Sequence, residues 1–376
     1  MIVVGARPNF MKAAPLVREM RAQGFFDIKL VHTGQHFDDN MSKVFFDELG
    51  LPRPDVYLNI NRASQTEQVA RVMMALEGEV RGWVPDFMIV VGDVNSTLAA
   101  ALVASKMSVK LAHVEAGLRS FDRTMPEEIN RLLVDQMADY LFTPSRDADQ
   151  NLMREGIPKE KIFCVGNIMV DTLLKHLNRA LELKAWGRFK LKPCEYGVVT
   201  LHRPSNVDDD GVLSDIISAL ITAQEKLPLL FPVHPRTKAR LEASGWLGKL
   251  GKIPRIILAE PFGYLENLSL MAKARLVITD SGGIQEETTV LGIPCLTVRA
   301  NTERPITISQ GTNRLVGQSK KGILDGFEAA WHLKPSMAKS PELWDGHTAK
   351  RLVDILASVF RIQNQAASSQ CSGGRI

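Results

Sequence analysis

The sequence predicts an α/β protein made of two doubly wound, Rossmann-like domains that face a central cleft. Short apolar segments such as Ile2–Val4 do not alternate with polar residues, which is typical of parallel strands buried on both faces. Segments whose apolar residues recur at helical spacing lie between them. The length of 376 residues exceeds one ordinary hydrophobic core and indicates two domains.

Residues 1–168 form the predicted N-terminal domain, in which strand, turn and helix repeat. The strand Ile2–Val4 is followed at once by Gly5 and by a helical pattern through Arg21. The later elements are a strand in DIKLVHTGQ, a helix at 38–49, a strand and a helix in PDFMIVVGDVNSTLAAALVAS, a strand in LAHVEA, a helix from Pro126, a strand in YLFTPS, a helix to Glu155 and a strand in KIFCVGN. This alternation predicts a parallel sheet covered by helices.

Residues 169–361 form the predicted C-terminal domain, which begins with a helical segment and a more polar linker, RFKLKPCEYG. Its elements are strands in VVTLH, LLFPVH, RIILAE, ARLVITD and PCLTV, with helices at 208–226, near 264–272, near 322–331 and near 348–361. The C-terminal helix, about 346–361, is a candidate to pack back on the N-terminal domain. Residues 362–376 are small and polar and are predicted to be disordered.

The composition excludes several classes of protein. With 45% hydrophobic and 23% charged residues it is typical of a soluble globular protein, and a net charge of +4 gives no reason to expect nucleic-acid binding. The four cysteines are far apart and form no CxxC pair, so we expect neither a metal site nor disulfides, and the setting is a reducing cytoplasm. No apolar stretch approaches the length that spans a membrane.

The stretch HVEAGLRSFDRTMPEEINR, at 113–131, gathers more ionisable side chains than a loop needs. Glu115 falls at the carboxyl end of a predicted strand, whereas Glu127 and Glu128 fall in the first turn of a helix that Pro126 opens. The alternative is structural: the two helix carboxylates compensate the dipole, or Glu128 pairs with Arg131 or Arg119. These residues taken alone favour that alternative.

Two loops have the chemistry of a phosphate site. Ser281, Gly282 and Gly283 follow an apolar strand and lead into a helix, where free N–H groups attract anions. In GARPNFMK, Arg7 and Lys12 add two cations to one loop and helix. The alternative for the first loop is an ordinary turn with Ser281 as the helix cap. Neither a dinucleotide GxGxxG nor a P-loop is present, which argues against NAD and Walker-type ATP use.

Other ionisable residues also fall at strand ends. Asp93 in GDVNST is directed towards the expected cleft, although this segment has an alternative as a helix start capped by Asn95 or Ser96. Four histidines occupy comparable positions, which favours function over structure when they are taken together with the carboxylates: His32, His113, His202 and His234.

Together these motifs resemble those of a known family. GARPNFMK, VVGDVNST, HVEAGLR, MPEEINR, TLHRPSN, PVHP, TDSGGIQEE, TERP and GTNRLVG occur in this order and are similar to those of the non-hydrolysing UDP-N-acetylglucosamine 2-epimerases, from residue 1 to about 360. The resemblance implies a glycosyltransferase-B-like fold with a C-terminal UDP-binding domain, a cytoplasmic homodimer, and no metal or nicotinamide cofactor. It also implies conversion of UDP-GlcNAc to UDP-ManNAc for cell-envelope polysaccharide biosynthesis. The implied route eliminates UDP to a 2-acetamidoglucal and adds it back.

The resemblance implies roles for particular residues. The implied catalytic set is Asp93, Glu115, Glu127 and His202, and which carboxylate is base and which is acid stays open. The implied UDP- and substrate-binding set is Arg7, Lys12, His113, Arg119, Arg203, His234, Ser281, Gly282, Gly283, Glu287 and Arg304. Gln35, His36 and Arg71 match a site at which some members bind a second UDP-GlcNAc as activator, but Asp38 replaces a glutamine of that site. Asn267 stands where several members have an aromatic residue near the uracil.

The proposed chemistry suits these residue types. Breaking the sugar C1–O bond places negative charge on the UDP phosphate and positive charge on C1, which cations and carboxylates respectively stabilise. Inversion at C2 needs a base on one face and an acid on the other. The alternatives are the same reaction on a UDP-diacetamido-uronic acid, a hydrolysing epimerase that releases ManNAc and UDP, a glycosyltransferase, and a nucleotide-sugar-binding regulator.

Overall fold

The computed structural model describes residues 1–5, 7–34, 50, 53–60, 64–332 and 340–372, with only the backbone of Arg7, Pro8 and 361–372. The predicted helix at 38–49 lies outside the described residues. The chain divides into two compact units: the first comprises Met1–Leu118, Asp122–Thr172 and Leu343–Ile376, and the second comprises Arg119–Phe121 and Leu173–Glu342.

The first unit is built on a seven-stranded parallel sheet. Its strands are β1 (Ile2–Val4), β2 (Leu30–His32), β3 (Val56–Tyr57), β4 (Phe87–Val91), β5 (Lys110–Val114), β6 (Tyr140–Thr143) and β7 (Ile162–Cys164), in the spatial order β3-β2-β1-β4-β5-β6-β7. β4 lies at the centre and every residue in it is buried, because helices cover both faces of such a sheet.

The helices of this unit connect consecutive strands. They are α1 (Arg7–Gln23), α2 (Gln65–Gly82), α3 (Asn95–Lys106), α4 (Pro126–Met137) and α5 (Arg146–Arg154), with a 3-10 turn at Lys159–Lys161. The next helix, α6 (Ile168–Glu182), runs across the division between the two units, and a 3-10 turn at Ala185–Phe189 follows it. Residues of β1, β4, β5 and the helices packed on them share one core cluster.

The second unit repeats the architecture with a six-stranded parallel sheet. Its strands are β8 (Gly197–Thr200), β9 (Leu229–Pro232), β10 (Ile256–Ala259), β11 (Leu276–Thr279), β12 (Cys295–Thr297) and β13 (Asn313–Leu315), in the order β10-β9-β8-β11-β12-β13. Its helices are α7 (Pro204–Val207), α8 (Asp210–Ala223), α9 (Pro235–Ala243), α10 (Trp246–Leu250), α11 (Tyr264–Ala272), α12 (Gly282–Leu291), α13 (Ile306–Ser309) and α14 (Lys320–Trp331). Core clusters lie on both sides of this sheet. The predicted α/β class with two parallel sheets is confirmed.

The last helix, α15 (Thr348–Ser372), packs against α1 of the first unit. Phe360 on α15 meets the rings of Phe25, Phe26 and Phe87 at centroid distances of 6.2, 6.0 and 4.4 Å. Residues 362–376 were predicted to be disordered, but α15 continues through this segment to Ser372. Adding residues to an existing helix is far easier than starting one, so a small, polar segment can extend it.

Several elements were not recognised from sequence, among them α2, α9, α13, β3 and β13. The strands have two and three residues, and such short segments carry no periodic pattern. Within the described part of the chain, no helix is long and apolar enough to cross a membrane.

Candidate active site

The first group of predicted site residues lies at the carboxyl edge of the first sheet, where the strand order reverses between β1 and β4. Ligands of doubly wound sheets bind at such reversals. Gly92 follows β4 with φ 69°, so the chain turns sharply before Asp93. A β-carbon at Gly92 would stand 3.2 Å from Lys12 Nζ, so glycine lets that side chain approach the backbone closely.

Lys12 and Glu115 form a buried ion pair beside this turn, with side chains 9% and 7% exposed. Glu115 directly follows β5, as predicted, and has φ 73°, a left-handed conformation that costs a non-glycine residue about 1–3 kcal/mol. The backbone N–H groups of Glu115 and Ala116 both donate to the carbonyl of Phe142, at 3.0 and 3.1 Å. These bonds and the lysine fix the carboxylate at the sheet edge.

Arg131 on α4 connects Asp93 to Glu128. Its guanidinium pairs with both carboxylates, and its Nε donates to Glu128 Oε2 at 3.0 Å. Asn130 Nδ2 donates to the Asp93 carbonyl oxygen at 2.8 Å. The structure contains the Glu128–Arg131 pair that the sequence had left as an alternative, and Glu128 is 1% exposed in it. Asp93 is oriented by α4 but keeps 30% of its side chain exposed.

Glu127 lies in the first turn of α4, which Pro126 opens as the sequence predicted. It is half-buried, and within the described residues its carboxylate has no basic partner. Asp93, Glu115 and Glu127 therefore differ in electrostatic environment: two sit beside fixed cations and the third does not. Carboxylates in different environments can take different acid and base roles.

His113, predicted to bind substrate, is completely buried beneath this edge. Its Nδ1 lies 2.6 Å from Asp135 Oδ1, and its Nε2 lies 2.9 Å from the Gly92 carbonyl oxygen. Asp135 Oδ2 also accepts a hydrogen bond from the Gly117 N–H at 3.1 Å. Since both ring nitrogens have partners, His113 ties together the turns at the ends of β4 and β5.

The alternative in which Asn95 or Ser96 caps α3 is not observed. The cap position is Val94, without a side-chain bond to the helix. Asn95 Nδ2 donates instead to Gln68 Oε1 at 2.8 Å, and the Ser96 hydroxyl lies 2.7 Å from that of Thr33. The polar GDVNST segment thus connects α3 to neighbouring elements.

The second group of site residues lies where the strand order of the second sheet reverses, between β8 and β11. Asp280 follows β11 and is fully buried, with Oδ1 2.9 Å from His202 Nδ1. Burial alone would raise the pKa of Asp280, but the contacts with His202 and the backbone N–H of Arg203 lower it below its usual value. The His202 side chain is 39% exposed, so Asp280 holds the buried side of a ring that solvent reaches.

His234 caps α9 and neighbours His202. Its Nδ1 accepts a hydrogen bond from the Arg236 N–H at 3.2 Å, and the two histidine rings have centroids 5.6 Å apart. Burial first, and then the nearby His202, lower the pKa of His234. The ring is therefore mainly neutral at pH 7 and uses one nitrogen for the helix cap.

The loop Ser281–Gly283 has the geometry of an anion site. Ser281 occupies the cap position of α12, as the alternative proposed, but its side chain makes no capping hydrogen bond. Its backbone N–H donates to Thr279 Oγ1 at 3.0 Å. In the part of the chain that the structure describes, nothing lies within 4 Å of the position where Gly283 would carry a β-carbon, so the backbone at the start of α12 is open to a ligand.

Gly282 is required by a buried ionic cluster behind the loop. A β-carbon there would lie 2.5 Å from Arg304 Nη1 and 2.8 Å from Glu303 Oε1. Arg304 Nε donates to Glu286 at 2.7 Å, and its Nη1 pairs with Glu303. Arg304, predicted to bind substrate, is only 7% exposed and supports the loop from behind.

The same cluster contains Arg299, whose Nη1 lies 2.9 Å from Glu303 Oε2. Burial would raise the pKa of Glu303, but Arg304, Arg299 and Arg203 hold it well below its usual range. Arg203 Nη2 is 4.0 Å from Glu303 Oε1, and its Nε has no hydrogen-bond partner among the described residues. Arg203 therefore keeps a buried donor that the described residues leave unsatisfied.

Glu287 is 5% exposed on α12 and interacts with Tyr264 on α11. Burial raises the pKa of Glu287 to about 7, with the Tyr264 hydrogen bond opposing the shift and Glu286 adding to it. Asn267 lies on the same helix as Tyr264, and its Nδ2 is 3.8 Å from Met271 Sδ.

Comparison with known proteins identifies the family. Residues 18–357 match the sequence profile of the family described as UDP-N-acetylglucosamine 2-epimerase. The chain belongs to this epimerase family. It is 42% identical over 365 residues to the UDP-N-acetylglucosamine 2-epimerase of Methanococcus maripaludis, an alignment that covers 94% of this chain and 97% of that protein.

Two further relatives extend the comparison. The UDP-2,3-diacetamido-2,3-dideoxy-D-glucuronate 2-epimerase of Pseudomonas aeruginosa is 39% identical over 364 residues, covering 95% of this chain and 99% of that protein. The crystal structure of the Methanocaldococcus jannaschii UDP-GlcNAc 2-epimerase in complex with UDP-GlcNAc and UDP superposes with a TM-score of 0.88 at 42% identity, covering 95% of this chain and 99% of that one. The epimerase fold predicted from the motifs is thereby confirmed.

The other residues predicted to bind substrate or activator in this epimerase lie in different parts of the chain. Arg119 is 2% exposed. Arg71 lies on the surface of α2 and pairs with Glu67 one turn away. Gln35 and His36, and the Arg7 side chain, lie outside what the structure describes. The possible activator site thus stays a prediction.

Sequence reasoning missed three supporting residues of this epimerase: Asp135, Asp280 and Glu303. Asp280 begins the same DSGG motif as Ser281, so its position at a strand end was visible, but nothing in the motif indicates that it holds His202. Asp135 and Glu303 act through partners that are distant in sequence or buried. No spacing rule links those partners.

Proposed function

We propose that this protein interconverts UDP-GlcNAc and UDP-ManNAc by epimerisation at C2, without net hydrolysis. The observation that carries the proposal is the family match over residues 18–357. The arrangement of the residues supports it. Each unit places ionisable groups at the reversal of its strand order, with carboxylates in the first unit and an anion-binding turn in the second.

In this proposal the second unit binds the UDP part of the substrate. Free backbone N–H groups at the start of α12 and the Ser281 hydroxyl receive a phosphate, and His202 and Arg203 supply donors from the end of β8. Glu287 interacts with the ribose. These groups stabilise the charge that develops on UDP as it leaves.

The carboxylates of the first unit act on the sugar. One removes the C2 proton while the C1–O electron pair leaves with UDP, which forms the C1=C2 double bond of 2-acetamidoglucal. The reverse step adds UDP to C1 and returns a proton to C2 from the opposite face. Two positioned carboxylates are needed for inversion, and Asp93, Glu115 and Glu127 are the candidates.

The experiment is incubation of the purified protein with UDP-GlcNAc in D₂O, followed by proton NMR. We expect UDP-ManNAc to appear and deuterium to enter C2 of both sugars, because the C2 proton exchanges with solvent during the intermediate. A heat-denatured sample is the control. Neither product nor exchange would be the result that rejects the proposal.

A second candidate substrate is the UDP-diacetamido-glucuronate, because one relative at 39% identity carries that name. Parallel assays with both UDP-sugars distinguish the two. Turnover confined to the uronate would assign the enzyme to that substrate. Stoichiometric release of UDP with free ManNAc would instead indicate a hydrolysing epimerase.

We also propose a cytoplasmic homodimer, as the resemblance implies. The cysteines that the structure describes, Cys164, Cys194 and Cys295, are unpaired thiols, which agrees with a reducing compartment. Sedimentation equilibrium of the purified protein tests the dimer, and a mass of one chain at micromolar concentration would contradict it.

Replacing Ser281 by Ala is expected to weaken UDP binding by roughly 1–3 kcal/mol, the effect of losing a hydrogen bond to a charged group. The fold should be unchanged, because the hydroxyl makes no helix-capping bond. Calorimetric titration with UDP measures the effect. Ser319, which does cap its helix by accepting from the Gly322 N–H, gives the matched control: Ser319→Ala should lower stability and leave UDP affinity unchanged. Equal affinity in the Ser281 variant and the wild type would remove Ser281 from the phosphate site.

A further inference from the structure

We propose that Asp280 is the positioning residue that keeps a proton on His202 Nδ1 and so presents His202 Nε2 to the substrate phosphate. The contact with phosphate rests on the proposed function, whereas the choice of ring nitrogen rests on the geometry of the second unit alone.

Both carboxylate oxygens of Asp280 contact the loop that carries His202. Its Oδ1 lies 2.9 Å from His202 Nδ1, and its Oδ2 accepts hydrogen bonds from the N–H of His202 at 2.9 Å and of Arg203 at 2.8 Å. Asn206 Nδ2 donates to the same oxygen at 3.1 Å. A fully buried carboxylate is unfavourable unless donors satisfy it. Oδ2 has three such donors, whereas Oδ1 has the close contact with His202 Nδ1 and no aligned hydrogen bond among the described residues.

The ionisation state of Asp280 determines which nitrogen of the His202 ring carries the proton. The same contacts favour the ionised form of Asp280, and an ionised carboxylate accepts hydrogen bonds but cannot donate them. Because Nδ1 lies 2.9 Å from Oδ1, a proton on Nδ1 is attracted to this carboxylate, whereas an unprotonated Nδ1 would direct a lone pair towards it. Nε2 is then the nitrogen available to a ligand, and the ring is exposed enough for a ligand to reach it.

Among the described residues, no other contact of the His202 ring holds the Nδ1 proton. His234 is the neighbouring ring, and its Nδ1 already accepts the Arg236 N–H. His234, Arg236 and Arg203 are neutral or cationic and cannot hold the Nδ1 proton. Asp280 is thus the anion that fixes the tautomer within the described part of this site.

Asp280 connects two loops, the turn at Ser281 and the loop that carries His202. It directly precedes Ser281, and through Oδ2 it holds the backbone of the loop that carries His202. Asn206 extends the connection by donating from the same amide to the Val298 carbonyl at 2.8 Å. One carboxylate therefore orients the His202 ring and fixes its position relative to the turn at Ser281.

The test combines NMR with kinetics. With ¹⁵N-labelled histidine, the His202 ring of the wild type, assigned by its loss in His202→Gln, should show a protonated Nδ1 at neutral pH. In Asp280→Asn the amide N–H₂ can donate to Nδ1, so the proton should move to Nε2. Asparagine at the matching position of a serine protease triad gives the wrong tautomer and lowers kcat about 10⁴-fold. We expect a loss of about 10²–10⁴-fold in epimerisation here.

A double variant and a matched control separate positioning from general damage. If Asp280 acts through His202, the variant His202→Gln with Asp280→Asn should be no slower than His202→Gln alone. Thr237→Val is the control, since Thr237 is fully buried and donates to the Leu201 carbonyl of the same loop without touching the ring. It should lower stability but leave the Nδ1 signal in place.

Each of these measurements supports or overturns the role of Asp280. An unprotonated Nδ1 in the wild type overturns the proposal, even if Asp280→Asn does not fold. An unchanged Nδ1 signal in a folded Asp280→Asn variant, or additive losses in the double variant, does the same. If the wild type lacks epimerase activity, the proposed function fails separately, while the NMR result still supports or overturns the role of Asp280.

Discussion

Replacing Asp93 by Asn is expected to reduce epimerisation by about 10²–10⁴-fold, the usual effect of removing a positioned acid or base. The fold should survive for a structural reason. Arg131 is buried between Asp93 and Glu128, so it keeps a carboxylate partner when Asp93 becomes neutral. Asparagine retains the size of the side chain, and the bond from Asn130 to the backbone of residue 93 is unaffected. Initial rates and a thermal melt measure the two effects.

Asp86→Asn is the matched control. It makes the same isosteric change immediately before β4, at the opposite end of the strand from Asp93, and its side chain is exposed. We expect near wild-type rates from it. UDP affinity should also be unchanged in Asp93→Asn, because the proposed UDP site is in the second unit. An Asp93→Asn enzyme with normal turnover would exclude Asp93 from the mechanism.

The sequence was sufficient to predict the location of most site residues. In a parallel sheet every strand points its carboxyl end to one edge, so finding where apolar runs end is enough to place Asp93, Glu115, His202 and Ser281 at two sheet edges. Glycine at residue 92 and the glycine pair after Ser281 mark turns that other residues could not adopt without strain or collision.

The sequence could not predict which buried partners the polar residues of these motifs would have. His113 and Arg304 both sit in apparently functional motifs, yet one is bonded to Asp135 and Gly92 and the other to Glu286 and Glu303. Such pairings depend on the packing of helices whose relative rotation is not encoded in a local pattern. The same limit applies to Asp280, whose partner lies 78 residues away in the chain.

The two units use a similar aspartate–histidine pair at different points of their sheets. In the first, Asp135 holds His113, which in turn holds the Gly92 carbonyl; in the second, Asp280 holds His202 and the backbone that follows β8. The difference is exposure. His113 is 0% exposed and serves the turn, whereas the His202 ring is 39% exposed and can meet a ligand. An aspartate–histidine pair is therefore structural in one unit and a candidate for catalysis in the other.

Neighbouring carboxylates on α4 should give opposite results when each is changed to glutamine. Glu127 and Glu128 are successive residues and so lie about 100° apart around the helix. Glu127 is half-buried without a basic partner in the described residues, so Glu127→Gln should keep wild-type stability and lose about 10²–10⁴-fold in activity. Glu128 is buried and paired with Arg131, so Glu128→Gln should lose roughly 1–3 kcal/mol of stability, the effect of a hydrogen bond lost to a charged group.

Stability by urea unfolding and activity by initial rate, measured on both variants, separate the two roles. Glu115→Gln belongs in the same series as a third pattern. It should lose activity like Glu127→Gln, and it should also lose stability, because Lys12 would be left buried without its carboxylate. UDP affinity should stay the same in all three. If Glu128→Gln proved inactive and Glu127→Gln active, the reacting group would lie on the Arg131 side of the helix. Asp93, held by the same arginine, would then have to be assigned together with Glu128.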